Sequence, residues 1–267
     1  MLSHIIFLGI FYAVLLVIIC TLTVSLFRTA EHFRARRAEA ICWQATFPDL
    51  PARERACRHE FTGEFKQRTC DKAFDCRACQ THAALLAQLT PDATPEAKES
   101  VLWGLPFPLD RFYHRGHTWA HPEPDGTVTI GLDSLGAALV AQPESIDLPA
   151  VGSRIQVNGA AWHVRKRGAD VRILSPVDGE IVAVGGPDAG WYLKVKPDNG
   201  KLDGRPLLRG AEIRPWITRE MERLQAALAR GNEAPTMADG GTLVSDIAAA
   251  FPEADWESIC GQIFLLP

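Results

Sequence analysis

The sequence predicts a mostly β fold of the α+β class: a small antiparallel sandwich or barrel with flanking helices, preceded by a transmembrane helix and a short cysteine-rich segment. Three observations predict it. An uncharged apolar run opens the chain, four cysteines crowd into residues 57–79, and short alternating strands separated by DG, NG, GG and DNG turns fill the middle. Composition permits this and excludes little. At 267 residues, 47% hydrophobic and 22% charged, the chain can bury a core, and a formal net charge of -4 argues against a bulk nucleic-acid binder.

Residues 1–4 form a tip before the run Ile5 to Phe27, 23 residues without a charge. A helix of that length spans roughly 34 Å, enough to cross a hydrocarbon core. The hydroxyls of Thr21, Thr23 and Ser25 can bond back to helix carbonyls. Against a cleaved signal peptide, no Lys or Arg precedes the run, the run is too long, and no small-x-small site follows. Arg28, Arg34, Arg36 and Arg37 follow, offset by Glu31 and Glu39, in a juxtamembrane helix or linker over 28–56. The positive-inside rule then places a single-pass protein in a bacterial-type inner (cytoplasmic) membrane, its large C-terminal part in the cytoplasm.

Residues 57–90 form the cysteine-rich segment, spaced Cys57-x12-Cys70-x5-Cys76-x2-Cys79, with His82 three residues further on. A Cys-x2-Cys pair lets two thiolates converge on one ion, and two more soft ligands close a tetrahedral site. A structural zinc on Cys57, Cys70, Cys76 and Cys79, with His82 as substitute, is one reading. An iron–sulfur cluster in a redox module is another, and reduced, partly buried thiols a third. Cys42 and Cys260 stand alone and read as packed residues. A short helix over about 81–89 carries Leu85, Leu86 and Leu89, and the polar, Pro-bearing stretch within 91–104 reads as a linker.

From 105 to 200 the strands follow: TVTIGL, SRIQV, AWHVR, VRILS, GEIVAVG and WYLKVKP. Within them stand Tyr113-x3-His117-x-Trp119, then Thr127 to Gly131, then Leu148-Pro149-x-Val151-Gly152. Ser175-Pro176-Val177-x-Gly179 to Val182 comes next, and Gly190-Trp191 with Leu193 to Lys196 closes the set. In order and spacing this region, residues 111–197, resembles the glycine cleavage system H protein, a lipoyl carrier of the biotinyl/lipoyl hammerhead sandwich type. The resemblance implies a lipoyl-lysine at a hairpin tip, eight residues before the Ser-Pro or Ala-Pro proline. Counting back from Pro176 lands on Gly168, so the acceptor amine is absent and no lipoate is expected. Arg165 stands where the resemblance implies an acidic residue, and Lys166 is the only nearby amine, leaving a carrier that uses Lys166 as an alternative. The segment before Gly190 is shorter than the family's, and the family's Leu-Gly-Asp is replaced by Val140, Ala141 and Gln142.

The tip is basic instead. Arg165, Lys166, Arg167 and Arg172 form a candidate docking point for an acidic partner or an anionic membrane face, against the plainer reading of a solvated hairpin. His114, His117 and His121 suggest a metal by their spacing, but packing roles suit them better. The chain has no Gly-x-Ser-x-Gly, no His-Glu-x2-His and no phosphate loop, so no enzyme is expected.

Residues 201–267 hold the C-terminal helices and an apolar tail. A helix starts at Pro215 and Trp216 with Ile217, Met221, Leu224 and Leu228 on one face and Arg219, Glu220, Glu222 and Arg223 elsewhere, ending at Gly231. A second helix lies near 243–251, and the end from Ile263 is either tucked onto the sandwich or offered to a neighbour. The expected function is that of a non-catalytic, membrane-anchored adaptor or scaffold subunit of a larger membrane-associated complex.

Overall fold

The computed structural model describes residues 55–86, 100–229 and 244–265, together with Phe11, Tyr12, Leu16, Thr21, Thr23 and Ala52. The chain divides into two compact units, Met1–Trp43 and Gln44–Pro267. In the first, Phe11, Tyr12, Leu16, Thr21 and Thr23 are each helical and exposed. The rest of the expected span over 5–27, the juxtamembrane stretch up to 54 except Ala52, and Cys42 lie outside the described residues. Among the described residues, no helix is long and apolar enough to cross a membrane.

The second unit runs α1 (Gln80–Leu86), β1 (Ser100–Leu102), β2 (Leu105–Phe107), β3 (Phe112–Tyr113), β4 (Thr118–Pro122), β5 (Val128–Leu132) and α2 (Ser134–Leu139). It continues β6 (Ser145–Asp147), β7 (Arg154–Ile155), β8 (Ala160–Lys166), β9 (Ala169–Leu174), β10 (Gly179–Gly186) and β11 (Trp191–Pro197), then α3 (Ile213–Ala229), α4 (Ile247–Ala250) and α5 (Trp256–Ile263). The strands form a six-stranded sheet ordered β3-β4-β5-β11-β10-β7, a three-stranded sheet β6-β8-β9 and the pair β1-β2. Every pairing is antiparallel.

Alternation explains the layers. Along β8, Trp162 and Val164 are buried while Arg165 is exposed, and along β11 Leu193 and Val195 are buried. These inward side chains meet Ile130, Val171, Ile173 and Ile181. Trp162 stacks on Tyr192 with ring centroids 4.8 Å apart, a contact between the two sheets. Gly131 is required by packing: a Cβ there would lie 2.4 Å from Trp119 Cζ2. That indole donates from Nε1 to the Leu132 carbonyl at 2.8 Å, so Trp119 and Gly131 of the motif series work as one packing unit.

Helix α3 packs through Ile213, Trp216, Ile217, Met221 and Leu224. Its start lies two residues before the one read from the sequence, and Glu220 joins the buried face rather than the solvated one. The apolar end is tucked in: Ile263, Phe264 and Leu265 are buried, and Leu265 packs with Leu174 and Phe74. Cys260 is buried as a packed residue.

The cysteine-rich segment is not a separate body beyond a linker; it lies within the second compact unit. An antiparallel bridge joins Ala56 to Thr69. Arg58 grips Glu212 through Nε at 2.7 Å and Nη2 at 2.5 Å and donates to the Arg205 carbonyl at 2.6 Å. Arg77 pairs with Asp178, Asn158 donates to the Ala73 carbonyl at 2.9 Å, and Arg115 donates to the Ala56 carbonyl at 2.6 Å. The side-chain bonds among these each span more than fifty residues of sequence, which local pattern reading cannot foresee.

Candidate functional site

Strands β8 and β9 form a hairpin in which Lys166 faces Ala169 and only Arg167 and Gly168 make the turn. Both turn residues have positive φ, 50° and 76°, as a two-residue type I′ turn requires. Gly168 is exposed, and a Cβ added there would meet nothing within 4 Å. The tip is therefore open to solvent, and it is shaped by backbone alone.

Lys166 behaves differently from its neighbours. It is only 7% exposed. Its Nζ donates to the carbonyl of Ala141, to that of Gln142 at 3.3 Å, and pairs with Asp246 Oδ2 at 3.2 Å. Asp246 also caps α4, accepting from Ala249 N at 3.0 Å. The residues replacing the family's Leu-Gly-Asp thus tie down the one amine near the tip. Lys166 drops out of the exposed basic patch, and Arg172 is half-buried, its Nε without a partner among the described residues. Arg165 and Arg167 remain exposed.

A second cluster gathers the cysteines. Cys57, Cys70, Cys76 and Cys79 line one small cavity of about 20 Å³ with His59, His82, Arg58, Lys72 and Arg115. All four thiols are free. His59 Nε2 lies 3.0 Å from His82 Nδ1, so the two rings share a proton, and both are buried. Burial holds His82 down to about 4 and lowers His59, so both are neutral near pH 7. Burial pushes Cys76 up to about 11 against the pull of Arg58, and raises Cys57. As the side chains stand, no three His, Cys, Asp or Glu groups among the described residues are disposed to hold an ion. Sequence reading missed His59, although its Cys57-x-His59 spacing was visible, and missed Arg115, which is brought in from β3–β4.

A third group is buried and charged. His117 Nδ1 lies 2.9 Å from Asp133 Oδ2, its Nε2 lies 3.9 Å from Glu220 Oε2, and its ring stacks on Trp216 at 5.2 Å. Arg223 reaches Glu220 through two hydrogen bonds of 2.9 and 2.7 Å. Burial alone would pull His117 down, but the Asp133 and Glu220 carboxylates outweigh it and raise it to about 9. Burial alone would raise Glu220, but Arg223, His117 and Arg115 bring it to about 2. This is a clamp between sandwich and helix α3. His114 bonds Asn158 at 2.8 Å, while His121, partly exposed, faces the Asp110 carbonyl at 3.2 Å, so the three histidines have separate partners.

An antiparallel double-sheet sandwich with flanking helices and a projecting two-residue hairpin defines a hammerhead-type domain. The family model described as "Glycine cleavage H-protein" matches residues 111–187. The glycine cleavage system H protein of Saccharophagus degradans is 35% identical over 100 residues, covering 33% of this chain and 77% of that protein. That of Teredinibacter turnerae is 37% identical over 106 residues, covering 34% of this chain and 82% of that protein. The crystal structure of a glycine cleavage system H protein from Mycobacterium marinum matches at 25% identity and a TM-score of 0.35, over 43% of this chain and 99% of that one. Through its central domain, the chain belongs to the glycine cleavage H-protein family.

Proposed function

We propose that this chain is a non-catalytic, membrane-anchored accessory subunit in which an H-protein-like domain serves as a docking module for a larger assembly, without a lipoyl arm. One observation carries the reading. The position the family's lysine would take is Gly168, and the nearest amine, Lys166, is buried on two carbonyls and a carboxylate. An arm needs an exposed amine on a free stem, and tethering one to Lys166 would strip partners from Asp246 and two backbone carbonyls. What the tip offers instead is a pair of exposed guanidinium groups, Arg165 and Arg167, suited to steering an acidic partner surface. The uncharged run over 5–27 supports anchorage in a cytoplasmic membrane, which would raise the effective concentration of the module at that surface.

The test is intact-mass measurement of full-length chain recovered from lipoate-fed cells, together with partner recovery in mild detergent. An unmodified mass and a stoichiometric protein partner that the double variant Arg165→Glu, Arg167→Glu releases are expected. A covalently lipoylated chain would overturn the reading, as would a charge-reversed tip that keeps every partner.

A further inference from the structure

The cysteine cavity carries an inference independent of the docking reading. Four thiols and two imidazoles from three separate stretches of chain line one small cavity. The thiols are reduced, and only the imidazoles satisfy one another, at 3.0 Å. The cavity of about 20 Å³ has room for one ion. Its wall also holds a buried cation. Arg115 is 4% exposed and donates to the Ala56 carbonyl at 2.6 Å, but among the described residues it forms no ion pair and its Nε has no hydrogen-bond partner; its guanidinium lies 3.6 Å over the Phe74 ring. Burial of that guanidinium is costly, and the nearby Glu220 carboxylate favours its charged form without fully offsetting the burial. A divalent ion bound by four thiols releases four protons and leaves a centre of net charge -2, which adds a further anion beside it. The Arg58 guanidinium, fixed by Glu212, lines the same cavity as Cys76, where it can support a metal-bound thiolate.

We propose that Cys57, Cys70, Cys76 and Cys79 hold one zinc ion as a closed tetrathiolate site, with the His59–His82 pair standing outside the coordination sphere. The thiols line the cavity without converging on a point, and the ion draws them together. The site is structural: four protein ligands leave no open position for substrate, and the ion staples a segment whose buried apolar side chains are few.

Full-length protein is purified in detergent from cells grown in zinc-supplemented medium and its metal content and zinc K-edge absorption are measured. One zinc per chain with a single sulfur shell at about 2.3 Å is expected. The double variant His59→Ala, His82→Ala keeps the zinc and its all-sulfur shell, whereas Cys76→Ser loses it. Where Cys76→Ser does not fold, the wild-type spectrum decides alone. A mixed nitrogen and sulfur shell, loss of zinc on removing the two histidines, an iron and sulfide chromophore, or four freely titrating thiols in metal-free native protein would each overturn the proposal.

Discussion

The sandwich and the cysteine-rich segment share one compact unit but are held in opposite ways. The sandwich buries Trp162, Ile130, Leu193, Val164, Val171 and Ile173 almost completely, with their order set by strand alternation. Among its described residues the segment buries only Ala56, Cys57 and Phe74 as apolar side chains, and it is held by Arg58, Arg77 and Arg115. Apolar burial is non-directional and tolerant, whereas guanidinium clamps need each partner in place. The first region is held mainly by its own packing. The second depends on groups that other regions provide.

The largest break should come from the sandwich. Trp162→Ala removes the ring stacked on Tyr192 and should cost about 4 kcal/mol, read as a fall in the urea midpoint that both regions share. Next comes the clamp under α3: Glu220→Gln leaves His117 and Arg223 short of a buried carboxylate and should cost roughly 3 kcal/mol by the same measurement. Glu212→Gln sharpens the contrast. It should loosen the segment by about 2 kcal/mol, speeding hydrogen exchange over 55–86 while leaving the sandwich strands protected.

Two smaller effects follow. His117 is more basic folded, at about 9, than its ordinary 6.5, so its contribution is full below pH 6.5 and fades as pH rises through 9. Glu220, lowered from 4.5 to about 2, contributes above pH 4.5 and loses that contribution as pH falls toward 2. Melting temperature against pH should therefore drop on both sides, and Glu220→Gln should move the alkaline drop to lower pH. Smallest of all, Arg165→Glu with Arg167→Glu should change stability by no more than about 0.5 kcal/mol, because both side chains are solvated at the tip. Equilibrium unfolding checks this apart from the partner assay.

Six strands were readable from alternation and turn residues, and five of them match closely: AWHVR became Ala160–Lys166 and WYLKVKP became Trp191–Pro197. SRIQV shrank to the two-residue strand Arg154–Ile155, because it pairs only with the start of β10. Strands β1 to β4 and β6 went unread, being short or held by distant partners. At the candidate sites, Gly168 and the four cysteines were legible because spacing carries them. Lys166 was misplaced: an exposed amine beside two arginines is the natural reading of RKR, and the carbonyls of Ala141 and Gln142 together with Asp246, eighty residues away, reverse it.

Sequence alone determined the strand series, the glycine at the hairpin tip, the family resemblance and the gathering of cysteines, since each is written in short-range periodicity or fixed spacing. Tertiary structure alone decided which charges are buried. Glu220 and Lys166 read as solvated, Arg58 and Arg115 drew no reading, and all four are buried with partners from distant stretches of chain. The physical reason is that a charge can be taken from water only when a specific counter-group meets it, and chain topology decides where such groups meet.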